Sequence, residues 1–559
     1  MKQTRINRKI NWFAFGLIGL VLIAVGAYFW VTDLMDSAQA YRSPIAKPAP
    51  VPGQMLGVPI TRRMVIVLID ALRFDTSANS TVMPFLNELR VKGASAIIHS
   101  RPPSFSAPGW TTLLTGAWPD INDSQPFNPP DESSARPFSQ DDIFAAAHRS
   151  HLKTAVSGYS WFQGMLSSSD LDTGFFTPGE DNNADIKVVS AALPWFSEDY
   201  RLILIHLDQV DFAGHHEGGP RSPNWDAAAT RADDMLRQIS SRLDLSQDTL
   251  LVVSDHGQID RGGHGGPEPI TLVEPFVLAG AGVIPGNYGA VDMVDIAPTI
   301  SVFLGSNIPA SNQGNVLVKM LTLTADQNAS IQEALNAQQN QLFSLYTKAI
   351  GVTAKIGIGE SALATQTAMD LARQTRLGNE RIWRNVLATF LAVLPGYILF
   401  QRRERKALWL LSGALVYILL FNLRYAVIDG RTYSLASVES ATWLIKYSST
   451  TAAVAAFLGW FFPMLGLHAF KSGARKAADT ALGYVWITIY LLAFPILINF
   501  AFNGLLVTWT LPEFYSLFIG LLSLIQVLIV AALGIVLVGI SVGVGWLYKR
   551  LPFPRQFLQ

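Results

Sequence analysis

Cysteine is absent from all 559 residues. That excludes a disulfide framework, a thiolate metal site and a cysteine nucleophile, so any bound metal must be held by histidine and carboxylate. Charge is scarce as well: Asp, Glu, Lys and Arg make up 15% of the chain, against about 25% in an ordinary soluble domain. The 42 acidic residues cancel the 42 basic ones. With no basic balance, nucleic acid is not expected as a partner. Apolar residues are plentiful, at 50% of the chain, and mean hydropathy is +0.28. That excludes a disordered chain and points away from a fully soluble protein.

The apolar residues cluster. From about Trp383 onward, long apolar spans alternate with short charged loops. A bilayer core of roughly 30 Å takes about 20 apolar residues of helix to cross. Spans of that order run near 385–400, 407–425, 443–470, 482–507 and 515–547. A sixth, 12–31, follows the basic stretch 2–9. It exceeds the usual apolar core of a signal peptide, the competing reading, and is taken as an uncleaved anchor. Placement of Lys and Arg sets the orientation. Lys2, Arg5, Arg8 and Lys9 hold the N-terminus in the cytoplasm, and the loops 401–406 (QRRERK) and 471–480 carry four and three basic residues. The loops 429–440 and 511–514 are nearly neutral. The expected organisation is a cytoplasmic N-terminus (1–10), a transmembrane anchor (11–31), a linker (32–60), an extracytoplasmic domain (61–322) and a helical stalk (323–382). A bundle of about five transmembrane helices (383–550) and a cytoplasmic tail (551–559) follow.

The domain 61–322 has the pattern of an α/β unit. Runs such as 64–69 (MVIVLI), 202–207 (LILIHL) and 250–253 (LLVV) are apolar without a break, as strands of a parallel sheet covered on both faces must be. Helical stretches such as 227–243 alternate with them. The stretch 325–381 is rich in Ala and Gln, with Leu335, Leu342, Leu345 and Tyr346 at helical spacing, and reads as the stalk.

Ligands of an open parallel sheet collect outside the carboxyl ends of its strands. Three expected strands here run into acids: Asp70, then Asp208 with Asp211, then Asp255 followed by His256. One such aspartate is explained by capping the next helix; three, each with histidine or hydroxyl company, are not. Five of the nine histidines fall between His206 and His264. His215 follows Asp211 in D-x-x-G-H, which lets both reach one ion across a glycine turn. His264 sits in GGHGG, whose glycines allow close backbone approach to a ligand. Asp70, Asp211, His215, Asp255, His256 and His264 offer N and O ligands for two divalent cations, Zn2+ above all, with Mn2+ the alternative. Two ions roughly 4 Å apart suit phosphoryl transfer. His206, inside an apolar run, reads as a hydrogen-bonded core histidine. His216 is expected to point elsewhere, and Asp208 is the alternative to Asp211. The segment 102–116 (PPSFSAPGWTTLLTG) offers Ser104, Ser106, Thr111, Thr112 and Thr115 as nucleophiles. Ser106 stands where a cap, a proline and then a helix are written, and a helix start favours an anionic phosphoryl group.

Four motifs, VLIDALRFD (67–75), PPSFSAPGWTTLLTG (102–116), DQVDFAGHHEGGP (208–220) and SDHGQIDRGGHGGPEP (254–269), carry a family resemblance in their order and spacing. The chain resembles the alkaline phosphatase superfamily, in particular its type I phosphodiesterase/nucleotide pyrophosphatase branch, and most of all the GPI ethanolamine-phosphate transferases. The resemblance implies an α/β fold of alkaline-phosphatase type, a mostly parallel sheet sandwiched by helices. It implies Ser106 as nucleophile, ten residues before Gly116. One metal would be held by Asp70, Ser106, Asp255 and His256, the other by Asp211, His215 and His264. Serine replaces the more usual threonine at the nucleophile. Gly109 and Trp110 stand where a sulfatase carries the Ser and Arg of its S-x-P-S-R or C-x-P-S-R motif, which argues against that branch. The eukaryotic transferases are longer, with more membrane spans.

The implied activity moves a substituted phosphoryl group, phosphoethanolamine from the membrane lipid phosphatidylethanolamine, through a covalent phospho-Ser106 to a glycan or lipid hydroxyl. A phosphodiesterase or pyrophosphatase hydrolase, with water as second acceptor, is the alternative. A transporter with a degenerate outer domain is the least expected reading. Its candidate intramembrane cations, Arg424 and Lys446, fall near the outer ends of their spans, where snorkelling explains them and where a cation can also pair with a lipid phosphate. The expected location is a bacterial plasma membrane, crossed several times, or the endoplasmic reticulum membrane for a eukaryotic chain.

Overall fold

A computed structural model describes residues 2–353, 362–402 and 405–550; the expected tail 551–559 and residues 403 and 404 of the basic loop lie outside the described residues. The chain divides into two compact units. One is built from residues 38–379 and 508–511, the other from 1–37, 380–507 and 512–559.

The first unit holds one sheet of eight strands: β1 (Arg63–Ile69), β2 (Ala94–His99), β3 (Lys153–Tyr159), β4 (Thr173–Thr177), β5 (Tyr200–Leu207), β6 (Asp248–Val253), β7 (Val273–Gly280) and β8 (Gly286–Asp292). Their order is β4-β3-β5-β1-β6-β7-β2-β8. Pairings are parallel except those of β7, which runs antiparallel to β6 and β2. The sheet is thus mostly parallel, as expected, with β7 reversed.

All of β1 is buried because alternate residues enter two cores. Met64, Ile66 and Leu68 join one apolar layer with Trp110, Leu113 and Ile300. Val65, Val67 and Ile69 join the other with Trp225, Leu236 and Ile239. A period of two feeding two layers is why the strand reads apolar throughout. Each fully buried side chain of this kind stabilises by about 1.5–3 kcal/mol, so the central strands end on a rigid edge.

The anchor helix runs Lys2–Gln39, past the expected end at residue 31, because neither proline nor glycine interrupts residues 27–43. The linker that follows is partly packed: Ser43 and Ile45 are buried, and Arg42 pairs with Asp123. The expected stalk divides in two. Helix Ala325–Ala349 buries Leu335, Leu342, Phe343 and Tyr346 within the unit that holds the sheet. Its Gln338 and Gln339 donate to the carbonyls of Ala310 and Gly314, both at 2.8 Å. Helix Ala362–Arg402 carries the rest of the expected stalk and also the expected span 385–400.

Among the described residues five helices are long and apolar enough to cross a membrane: Phe13–Gln39, Arg405–Ile428, Ala441–Gly466, Ala474–Asn503 and Phe514–Arg550. Over the described residues the stretch 385–400 is not among them. A Cβ added at Gly413 would lie 2.5 Å from the Gly459 carbonyl oxygen. Glycine is what lets these two helices approach so closely.

Candidate active site

Strands β5, β1 and β6 are neighbours, so the acids that follow them, Asp208, Asp70 and Asp255, come out side by side. Among the described residues three groups of donor atoms result, two of them sharing Asp70, with the atoms of each group within 4.8 Å of one another: Asp70, Asp255 and His256; Asp70, His206 and Asp208; and Asp211, His215 and His264.

Ser106 borders the first group. It is the first residue of helix Ser106–Thr115, with Phe105 in the cap position and no side chain capping. Expected as the cap itself, Ser106 sits one residue further in, and its hydroxyl is therefore not spent on the helix. Ser106 Oγ lies 3.2 Å from His256 Nε2. Asn128 spans the same point: its Nδ2 donates to Ser106 Oγ at 3.5 Å, and its Oδ1 accepts from the Ala107 amide at 3.1 Å. The helix can seat here because of Gly109, where a Cβ would meet Asp255 Cβ and O at 2.9 Å. His256 Nε2 is 3.4 Å from Asp70 Oδ1 and 3.5 Å from Asp255 Oδ2. Asp70 Oδ2 accepts from Trp110 Nε1 at 3.1 Å and lies 2.9 Å from His206 Nε2. The facing oxygens, Asp70 Oδ1 and Asp255 Oδ2, are buried without a hydrogen-bond partner.

In the second group, Asp211 and His215 lie on helix Gln209–His216, not on the expected glycine turn. The four-residue spacing puts both on one helical face. His264 Nδ1 donates to the Ser104 carbonyl at 2.9 Å, which leaves its Nε2 as a lone pair. That nitrogen is 2.9 Å from His215 Nε2 and 3.6 Å from Asp211 Oδ1, while His215 Nε2 is 3.4 Å from Asp211 Oδ2. Gln258 Nε2 donates to Asp211 Oδ1 at 2.6 Å. The GGHGG glycines do allow a close approach, but to the protein's own chain. Gly265, at φ +97°, would bring a Cβ to 2.2 Å from the Phe105 ring. Arg73, just past β1, donates to Asp260 at 2.8 Å and so ties that strand end to the loop between His256 and His264.

Burial first, and then the charge of Asp255, pushes the Asp70 carboxyl well above the usual range. Burial raises Asp255 too. Burial lowers His206 to about 3 and, with His256 beside it, takes His264 well below its ordinary value. Burial would raise Asp211 as well, but His215, His264, His256 and Gln258 together outweigh it and hold the carboxyl at about 2. Carboxyls that resist ionising together, beside imidazoles that resist protonation, form a set that a divalent cation relieves. Two unpartnered carboxylate oxygens and two ring nitrogens facing each other are the direct marks of that fit.

His206 is the hydrogen-bonded core histidine expected. His216 lies outside the three groups, its ring 4.7 Å from that of Phe212. Asp208 joins Asp70 and His206, not His215 and His264, so it does not replace Asp211. Arg424 Nε is 3.7 Å from Asp429 Oδ2, and its guanidinium is 4.8 Å from the Tyr447 ring centroid; Lys446 is exposed. The sequence reading misses Asn128, Trp110 and Gln258. The last two stand inside the motifs but read as helix and turn residues. Asn128, in a proline-rich loop, carries no signal of its own.

Residues 64–265 match the family model for type I phosphodiesterase/nucleotide pyrophosphatase. GPI ethanolamine phosphate transferase 2 of Kluyveromyces lactis is 25% identical over 313 residues, which cover 50% of this chain and 39% of that protein. The human GPI ethanolamine phosphate transferase 2 catalytic subunit is 26% identical over 338 residues, 54% of this chain and 33% of that one. The chain therefore spans less than two-fifths of the length of these curated relatives. Among solved structures, murine ectonucleotide pyrophosphatase/phosphodiesterase 5 aligns with a TM-score of 0.36 and 12% identity, over 44% of this chain and 96% of that one. Wild-type alkaline phosphatase PafA aligns with a TM-score of 0.38 and 10% identity, over 48% of this chain and all (100%) of that one. The stretch that matches the family model, 64–265, contains Ser106 and every residue of the three donor groups.

Proposed function

We propose that the chain is a membrane-bound transferase that moves phosphoethanolamine from a lipid donor, phosphatidylethanolamine, to a hydroxyl of a glycan or lipid. The observation that carries this reading is the buried Ser106 hydroxyl at a helix start, 3.2 Å from His256 Nε2 at the edge of the clustered donors. The relatives matched over this region, GPI ethanolamine phosphate transferases, supply the substrate class.

Ser106 Oγ forms a bond to the phosphorus of the donor as the bond to the lipid oxygen breaks. Diacylglycerol leaves carrying the serine proton. The acceptor hydroxyl then displaces Ser106 and returns a proton to it. Asn128 Nδ2 and the Ser106 amide at the helix start donate to the phosphoryl oxygens. Asp70, Ser106, Asp255 and His256 would hold one divalent cation and Asp211, His215 and His264 another, Zn2+ or alternatively Mn2+, which when bound supply positive charge opposite the phosphoryl group. Trp110 and His206 fix the Asp70 carboxylate, and the Ser104 carbonyl fixes the His264 ring.

Purified full chain in lipid, given phosphatidylethanolamine with a labelled head group, is expected to release diacylglycerol and pass label to a second lipid or glycan. Free phosphoethanolamine released at one rate, with or without acceptor, would overturn transfer.

In the same reading the domain lies outside the cytoplasm, with the N-terminus inside. The cysteine-free chain makes this simple to check. Glu439→Cys, at an exposed position in the neutral loop, is expected to react with an impermeant thiol reagent on intact cells. Ser472→Cys, exposed in the basic loop, is expected to react only after permeabilisation. The reverse pattern would invert the topology.

A further inference from the structure

Asp208 is only 8% exposed, and among the described residues its carboxylate accepts no hydrogen bond and joins no ion pair; its backbone alone is engaged, the amide donating to Asp185 at 2.9 Å and the carbonyl accepting from the Phe212 amide at 3.1 Å. A buried carboxylate left this way is costly unless a cation arrives. Asp208 ends β5, and the strands next outward are β3 and then β4. β3 ends at Tyr159, followed by Ser160 and Trp161; Glu180 follows β4 by three residues. Burial and then the nearby Glu180 carboxylate push the Tyr159 hydroxyl well above its ordinary range. The Trp161 ring stands perpendicular to that of Tyr159, with centroids 4.9 Å apart, and 5.9 Å from Trp110. Ser160 Oγ is buried without a partner. The principal charges acting on Tyr159 and Asp208 are all acidic, with Glu180 common to both.

This lip of the site combines carboxylates, half-buried aromatic rings and an unsatisfied hydroxyl. Aromatic rings do not ligate hard or borderline metal ions but do stabilise organic cations. His206, the one histidine grouped with Asp208, already meets Asp70 through Nε2 at 2.9 Å. We infer that Asp208, Glu180, Tyr159 and Trp161 form a subsite for a primary ammonium group, the amine end of the transferred phosphoethanolamine. The inference rests on the proposed function for the identity of the ligand. Asp208 lies within 4.8 Å of Asp70 in the donor cluster, which suits a group whose nitrogen and phosphorus are separated by an ester oxygen and a short carbon chain.

The test uses purified full chain in detergent with zinc and two probes, phosphoethanolamine and its isostere propyl phosphate, which carries a methyl group in place of the ammonium. Phosphoethanolamine is expected to bind at least about tenfold more tightly. Asp208→Asn is expected to remove most of that preference, with propyl phosphate affinity and zinc content held within about twofold. Glu180→Gln, further out, is expected to weaken the preference in the same direction and serves where Asp208→Asn does not fold. Equal affinity of wild-type protein for the two probes would overturn the subsite. Loss of zinc in Asp208→Asn, or equal weakening of both probes, would overturn it by making Asp208 a metal ligand. If the preference holds while lipid label is not transferred, the proposed function fails and the ammonium subsite stands.

Discussion

Ser106→Ala is expected to slow transfer of phosphoethanolamine by at least about a thousandfold while the protein keeps its fold and its zinc. The hydroxyl caps nothing, so its loss removes no helix contact, and Ala107 to Thr115 still pack as before. Removed instead is the one oxygen held between His256 Nε2 at 3.2 Å and Asn128 Nδ2 at 3.5 Å. Ser106→Thr keeps a hydroxyl there and is expected to retain part of the rate. Label transfer measures both variants, and the intact mass of substrate-trapped wild-type protein carries the group on Ser106. Turnover by Ser106→Ala at the wild-type rate would end the covalent route.

Asp70→Ala and His264→Ala are each expected to cut bound zinc from about two ions per chain to about one, with activity lost in both. The two substitutions act on different groups. Asp70 is shared by two of the three donor sets, whereas His264 belongs to the one with Asp211 and His215. Removing either ligand weakens one ion and leaves the other set complete. His264→Ala also breaks the 2.9 Å bond to the Ser104 carbonyl, so a lower Tm accompanies the lost ion. Elemental analysis of purified variants gives the stoichiometry; unchanged zinc in both would remove these residues from the ligand set.

The parts of the fold legible in the sequence are those buried on two sides. β1, β5 and β6 read as strands because both faces meet apolar layers. β8 (GNYGAVD) does not, because as an edge strand it is largely exposed and its residues need no apolar pattern. The helix Ala325–Ala349 reads as a polar stalk because glutamine counts as surface, yet Gln338 and Gln339 are buried and satisfy loop carbonyls. The site divides along similar lines. Asp70, Asp255 and the histidines stand at strand ends or in dense motifs, where position along the chain already implies proximity. Asn128 lies 22 residues from Ser106 in a turn-rich loop, and only the folded chain brings it to the hydroxyl. Asp208 reads as a stand-in for Asp211 because the adjacency of β5, β3 and β4 is a property of the sheet, which no local pattern encodes.

Depth separates the two donor sets. The His215 side chain is 39% exposed and that of Asp211 15%, whereas those of Asp70, Asp255 and His256 are at 1%, 0% and 0%. A cation held by the shallow set meets water through His215, and its residence is governed by the medium outside. A cation in the deep set leaves only when the protein opens around it. Two cations bound there would therefore keep time differently: the deep one would record the metal supply at the moment the domain folded, the shallow one the supply of the moment.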